Sequence, residues 1–170
     1  MAIDRPNHVW APDITYIPMR RGFLYLCALL DWATRRVLAW RLSNTLTNDF
    51  CTAALKEALA RHGTPEIFNT DQGSQFTSAE FTGVLKAAGI QISRDGWGRC
   101  HDDIFVERLW WAATHEWVYL RPCENGIAQQ QSLAQCFDWY NRRRPHQSLE
   151  WRTPDEAYFG MLAKAEARAA

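Results

Sequence analysis

Three carboxylates stand where an acid is hardest to read as plain surface charge. Asp13 interrupts the β-prone run Trp10-Ala11-Pro12-Asp13-Ile14-Thr15-Tyr16-Ile17. Asp71 follows a short apolar run, in Asn69-Thr70-Asp71-Gln72-Gly73-Ser74-Gln75-Phe76. Glu107 lies inside Phe105-Val106-Glu107-Arg108-Leu109-Trp110-Trp111, and residues 72–106 separate it from Asp71. An unpaired carboxylate among apolar neighbours is costly. Three that converge repel one another and stay protonated unless a cation neutralises them. Oxygen donors without thiolate or imidazole favour Mg²⁺ or Mn²⁺. Two such ions, roughly 3.5–4 Å apart, activate an attacking oxygen and stabilise the leaving one in an in-line phosphoryl displacement, with no covalent protein nucleophile.

The elements that must position these acids follow from periodicity. Residues 10–17 alternate as a strand, with Asp13, Thr15 and Ile17 on one face and Ile14 and Tyr16 on the other. Arg20-Arg21-Gly22 is a hairpin turn, Phe23 to Leu30 reads as a central strand buried on both faces, and Arg36 to Leu42 as a third strand. A helix capped by Thr47 or Asn48 runs to about Arg61, with Leu46, Phe50, Ala54, Leu55 and Leu59 as its apolar stripe. A fourth strand, 66–70, delivers Asp71. The capping box Thr77 to Glu80 starts a helix that ends at Gly89, and a short fifth strand follows. Arg94 to His101 reads as a glycine-rich loop around Trp97. Helices are expected over 103–117 and 126–142, and Thr153-Pro154-Asp155-Glu156 starts another.

The predicted fold is α/β: a five-stranded mixed sheet, its first three strands antiparallel, with helices on both faces. If the fourth strand lies parallel beside the first, Asp13 and Asp71 emerge together and the helix after strand five brings in Glu107. The expected organisation is a lead-in over residues 1–9, one core over 10–160 and a helical tail over 161–170.

Composition limits the partners. Lys+Arg and Asp+Glu each number 19, so overall charge gives no push toward nucleic acid. The five cysteines are odd in number and widely spaced, without zinc-site or disulfide spacing, which points to a reducing compartment. No signal segment or membrane-length apolar run is present, so a soluble, cytoplasmic protein is expected.

Four ordered motifs carry a resemblance: W-A-P-D-I-T-Y, N-T-D-Q-G-S-Q-F, G-x-C-x-D-x-x-F-V-E-R-L-W and Y-N-x-x-R-P-H-x-x-L-x-x-x-T-P-D-E-A-Y. Over about residues 5 to 160 the chain resembles the catalytic core of bacterial insertion-sequence transposases of the OrfB type, in the DDE superfamily with retroviral integrases. The resemblance implies a ribonuclease-H-like fold, two Mg²⁺ (or Mn²⁺) ions, and cleavage and strand transfer of DNA at the element ends and target. It assigns Asp13, Asp71 and Glu107 as the acidic triad and implies a homodimer or higher multimer. Recognition of the element ends is expected to come from outside this chain, because only nine residues precede Trp10.

Candidate DNA contacts are Gln75, Trp97 on its glycine loop, and the basic run Arg142, Arg143, Arg144 with His146. A turn role for Gln75 and a solvated helix end for the arginines are equally good readings. The family pattern is broken on one helix face. At about 100° per residue, Asp103, Glu107, Trp111 and Thr114 share a side. The family usually has Asn at the Asp103 position, a basic residue at the Thr114 position and a basic or polar one at position 111. Asp103 is a candidate competing metal ligand, and fewer cations mean weaker DNA binding. A catalytically weakened relic that binds DNA and dimerises, and a structure-directed nuclease of the same fold, are the alternatives. Asp31 is expected in a structural ion pair with Arg35 and Arg36, and Trp110 in the core.

Overall fold

The structure, a computed structural model, describes residues 3–70, 73–93, 107–121 and 123–169. Three strands come first: β1 (Val9–Pro18), β2 (Phe23–Asp31) and β3 (Val37–Ser43). Then follow α1 (Asp49–His62), β4 (Ile67–Asn69), the one-turn α2 (Ser74–Thr77), α3 (Ala79–Ala87) and β5 (Gln91–Ser93). α4 is α-helical over 107–111 and continues as a π-helix over Ala112–Val118. α5 (Gly126–Arg143) and α6 (Pro154–Ala169) complete the chain, with a 3₁₀ turn at Gln147–Leu149 between them.

The sheet order is β3-β2-β1-β4-β5. β1, β2 and β3 pair antiparallel, while β4 lies parallel to both β1 and β5, as the conditional reading required. β2 is an interior strand, second in that order, with Leu26 through Leu30 all buried. Strand parity then divides the interior into two cores. Cys27 and Leu29 face α1 and α3, packing with Trp10, Phe50, Leu55, Phe68, Phe81 and Leu85. Ile17, Leu26, Ala28 and Leu30 face α4 and α5, packing with Leu109, Ala113, Leu133 and Phe137. Asp13 shares Ile17's parity, so it stands on the α4 side.

One detail of β1 opens that side. The ladder to β4 is only Val9↔Ile67 and Trp10↔Phe68. It stops two residues before Pro12, which has no N–H to extend it. The β1–β2 ladder runs on unbroken through Asp13↔Ala28 to Pro18↔Phe23. The strand carrying Asp13 is therefore fixed on one edge and unpaired by β4 on the other.

Several local expectations shift. The helix cap falls on Ser78, whose Oγ accepts the Phe81 N–H at 3.3 Å; Thr77 belongs to α2 instead. Leu46 precedes α1 and is exposed, so it is not part of the stripe. The segment read as a polar lead-in is tied into the fold. Asn7, at φ 59°, donates its N–H to Asp31 Oδ2 (2.7 Å) and its amide to the His62 carbonyl (3.2 Å). Its Oδ1 accepts from Trp10 Nε1 (3.0 Å) and from the Tyr158 hydroxyl (2.9 Å). The capping box at Thr153 and Glu156 forms reciprocally, at 2.8 and 3.2 Å.

β3 is an edge strand, and a side chain closes part of that edge. Asn141 of α5 accepts the Val37 N–H (3.0 Å) and donates to the Val37 carbonyl (2.9 Å), mimicking a neighbouring strand. Asn141→Ala removes both partners together. It is expected to cost about 1–3 kcal/mol, read as a lower urea midpoint at unchanged slope; a wild-type midpoint would overturn the assignment.

Candidate active site

Asp13 is half-buried in the middle of β1. Its Oδ1 accepts the Ile14 backbone N–H at 2.8 Å, and its Oδ2 accepts Trp110 Nε1 at 2.6 Å. The second is a short charge-assisted bond joining β1 to α4. A carboxylate offers about four lone-pair positions, and these two donors each orient one of its oxygens. The set is oxygen-only, as Mg²⁺ or Mn²⁺ requires.

α4, the helix that Trp110 ties to Asp13, carries Glu107. Leu109, Ala112, Ala113 and Val118 are buried and seat the helix on the sheet, while Glu107, Arg108 and Trp111 are exposed. Glu107 sits one helical turn ahead of Trp110, the residue that touches Asp13. Trp110 is packed on the core, as expected, but sequence reasoning missed its polar role. The signal was present: an indole N–H three residues from an acid, on an otherwise apolar helix, needs an acceptor. Asp71, Gln72, Trp97, His101 and Asp103 lie outside the described residues. Among the described residues no three His, Cys, Asp or Glu side chains gather into a metal-sized group.

The helix-face count does not carry past residue 111. From Ala112 the turn widens, Tyr119 N–H bonds the Thr114 carbonyl (i→i+5, 2.8 Å), and the Thr114 hydroxyl donates to the Trp110 carbonyl at 2.5 Å. Thr114 is half-buried with its hydroxyl tied back, and the exposed row beyond Glu107 is Trp111, His115 and Tyr119.

The other candidate DNA contacts are dispersed. Gln75 is half-buried in α2. Arg142 pairs with Asp138 at 3.1 Å and stands 3.9 Å from Asp155, and Arg143 is exposed at the end of α5. Arg144 pairs with Glu116 at 2.9 Å and lies over the Trp139 and Tyr140 rings. His146 is half-buried, and burial together with Arg144, Arg35 and Arg108 pushes its pKa down to about 4. Burial also lowers Arg35, to about 10, where its neighbours include Asp31, Tyr140 and Arg108.

Asp31 is fully buried and structural, but not as the expected double ion pair. It accepts the Asn7 and Thr34 N–H groups and the Thr34 hydroxyl, at 2.7–3.0 Å, with Arg35 as the nearby charge. Arg36 instead bonds Asp155 at 2.7 Å. Cys27, Cys51, Cys123 and Cys136 carry free thiols, and none of the described helices is long and apolar enough to cross a membrane.

Comparison with known proteins places this geometry in context. Residues 3–100 match the family model "Integrase core domain", and residues 88–154 match a second model of the same description. The chain is 29% identical over 155 residues to the transposase for insertion sequence element IS629 of Shigella sonnei, covering 91% of this chain and 52% of that protein. It is 32% identical over 157 residues to transposase InsF for insertion sequence IS3A of Escherichia coli K12, covering 89% and 54%. The chain thus spans about half the length of these relatives. In structure it is similar to the HTLV-2 integrase catalytic core domain in complex with magnesium, in its dimeric form. That match has a TM-score of 0.71 at 18% identity and covers 90% of this chain and 95% of that one. It establishes the ribonuclease-H-like fold.

The His146 environment has a consequence for stability. Its native pKa lies below the ordinary 6.5, so the unfolded chain binds the extra proton first. Stability present above pH 6.5 is expected to fall as pH drops from about 6.5 to about 4, and His62, also lowered by burial, acts in the same direction. Urea unfolding across that range should show this slope, and His146→Gln should reduce it. An identical slope in the variant would sink the assignment.

Proposed function

Because the chain belongs to the integrase core domain family, we propose that it is the catalytic core of an insertion-sequence transposase, cutting DNA and joining the freed end to a target. The observation that carries this reading is the bond from Trp110 to Asp13. It ties a strand acid to the helix that bears Glu107 one turn earlier. Asp71 completes the triad on the motif it shares with the family. β4, the strand that precedes it, runs parallel to β1.

The chain's own residues would act as follows. Asp13 and Glu107 offer carboxylate oxygens from two rigid elements, with Asp71 as the third acid. Trp110 and the Ile14 N–H hold the Asp13 carboxylate in one orientation before any substrate arrives. A pair of divalent ions, when bound, neutralises these acids and polarises the phosphate. Water attacks in the cutting step and a DNA 3′-hydroxyl in the joining step, each in line with the departing oxygen. Trp110 is a positioning residue, since it acts through Asp13. A multimer fits this reading, as the HTLV-2 integrase core cited above is in a dimeric form. Asp103 remains a candidate competing ligand, and Gln75, Trp97, Arg142, Arg143, Arg144 and His146 candidate DNA contacts.

A second reading has its own support. The zero net charge, and an exposed Trp111 on a face that meets DNA through cations in the family, favour a core that keeps the fold but grips DNA weakly. One experiment separates the two. With Mg²⁺ or Mn²⁺ and pre-cleaved DNA ends, the wild type should cut and join. Asp13→Asn, Asp71→Asn and Glu107→Gln should each abolish this. Trp110→Phe should lower the rate roughly 10–100-fold and raise the metal concentration needed for half-maximal rate. Metal binding without cleavage would select the weakened core. Full activity in Trp110→Phe would remove the positioning role.

A further inference from the structure

The exposed side of α4 does not end at Glu107. Trp111, His115 and Tyr119 follow at intervals of four, and the rings touch in sequence. Trp111 and His115 stack with centroids 5.5 Å apart and planes 13° from parallel; His115 meets Tyr119 edge-on at 5.1 Å. Trp111 is 55% exposed and Tyr119 60%, so the row is offered to solvent. The row runs along the π-helical turn, where i→i+5 bonding widens the helix. Exposed arginines bracket the row: Arg108 beside Glu107, and Arg121, whose guanidinium lies 4.1 Å over the Trp117 ring.

Exposed rings bracketed by cations, on the helix that bears Glu107, are suited to unpaired nucleotides. Each base has a face to stack on, and the flanking guanidiniums meet the phosphates. A paired duplex end buries its base faces and offers only the terminal one. We propose that the Trp111–His115–Tyr119 row stacks on unpaired bases at the end of the DNA substrate, taking the place of a cationic grip on its backbone. The inference deepens the proposed function and rests on that reading for the identity of the substrate.

The test measures binding in Ca²⁺, by fluorescence anisotropy, of two labelled DNAs of equal length, one blunt and one with an unpaired 3′ overhang. Trp111→Ala should weaken overhang binding about tenfold and blunt binding less than twofold. Trp111→Phe, which keeps a ring, should bind the overhang like wild type. The salt dependence of overhang binding should be the same in wild type and Trp111→Ala, because no phosphate contact is lost. Equal losses on both DNAs, or none on either, overturn the proposal. So does a shift from dimer to monomer in Trp111→Ala or Tyr119→Ala by sedimentation, which would mean that a second copy covers the row. Glu107→Gln separates this from the catalytic reading, since it should lose cleavage and keep overhang binding. Cleavage that is indifferent to position 111 sinks only the stacking surface. Overhang binding that depends on Trp111 in a chain that never cleaves sinks only the catalysis.

Discussion

A carboxylate in the middle strand of a buried sheet is the constraint on which this site depends. Leaving Asp13 ionised and half-desolvated costs free energy that neutral packing cannot return. Its own strand supplies one donor, the Ile14 N–H. The second donor has to come from another element, and it comes from Trp110, almost a hundred residues further along the chain. That demand fixes how α4 lies. Small residues at 112 and 113 let the helix settle close to the sheet, and Leu109 and Val118 hold it there. Glu107 then has its position by virtue of being on the same rigid rod. One indole thus joins the strand acid to the helix that carries Glu107.

Asp31 gives the control case within the same sheet. It too is an acid at a strand, and it too is surrounded by apolar residues. It differs in being fully buried and in having its oxygens taken by two backbone N–H groups and a hydroxyl, all from neighbouring turns. Little capacity remains, and nothing could reach it from solvent. The network continues through Asn7 to Trp10, His62 and Tyr158, so that Asp31 anchors the clasp that brings α6 back onto the start of β1. Burial and saturation make Asp31 part of the scaffold, whereas Asp13 is only half-buried and stays within reach of solvent.

This contrast also explains what could be read from residues alone. Strand parity and helix stripes are local, so Asp13's face, the buried character of β2, the antiparallel meander and the apolar side of α5 were all legible. Partners distant in sequence were not. Arg36 finds Asp155 in place of Asp31, because α6 reaches a strand edge that no short-range pattern marks. Asn141 and Asn7 look like ordinary polar residues, yet one completes a sheet edge and the other joins five segments. Much of the Y-N-x-x-R-P-H motif proves to be fastening: Tyr140 is core, Asn141 closes β3, and His146 bridges to Arg152. The cap at Ser78 was missed by one residue, since a turn of helix at Ser74–Thr77 uses Thr77 first.

The π segment is where local and global demands meet. From Ala112 the helix widens to i→i+5 bonding while Ala112, Ala113 and Val118 stay buried against the sheet. The carbonyl of Trp110 is met by the hydroxyl of Thr114, so the irregularity leaves no orphaned acceptor at the residue that holds Asp13. Thr114 therefore stabilises the helix beneath the residue that holds Asp13. Backbone neutralisation and ring stacking are different ways to hold a nucleic acid: the first weakens steeply with salt, and the second depends on whether bases are free. Under the proposed function, a helix face built of rings would favour DNA with unpaired bases over a paired duplex.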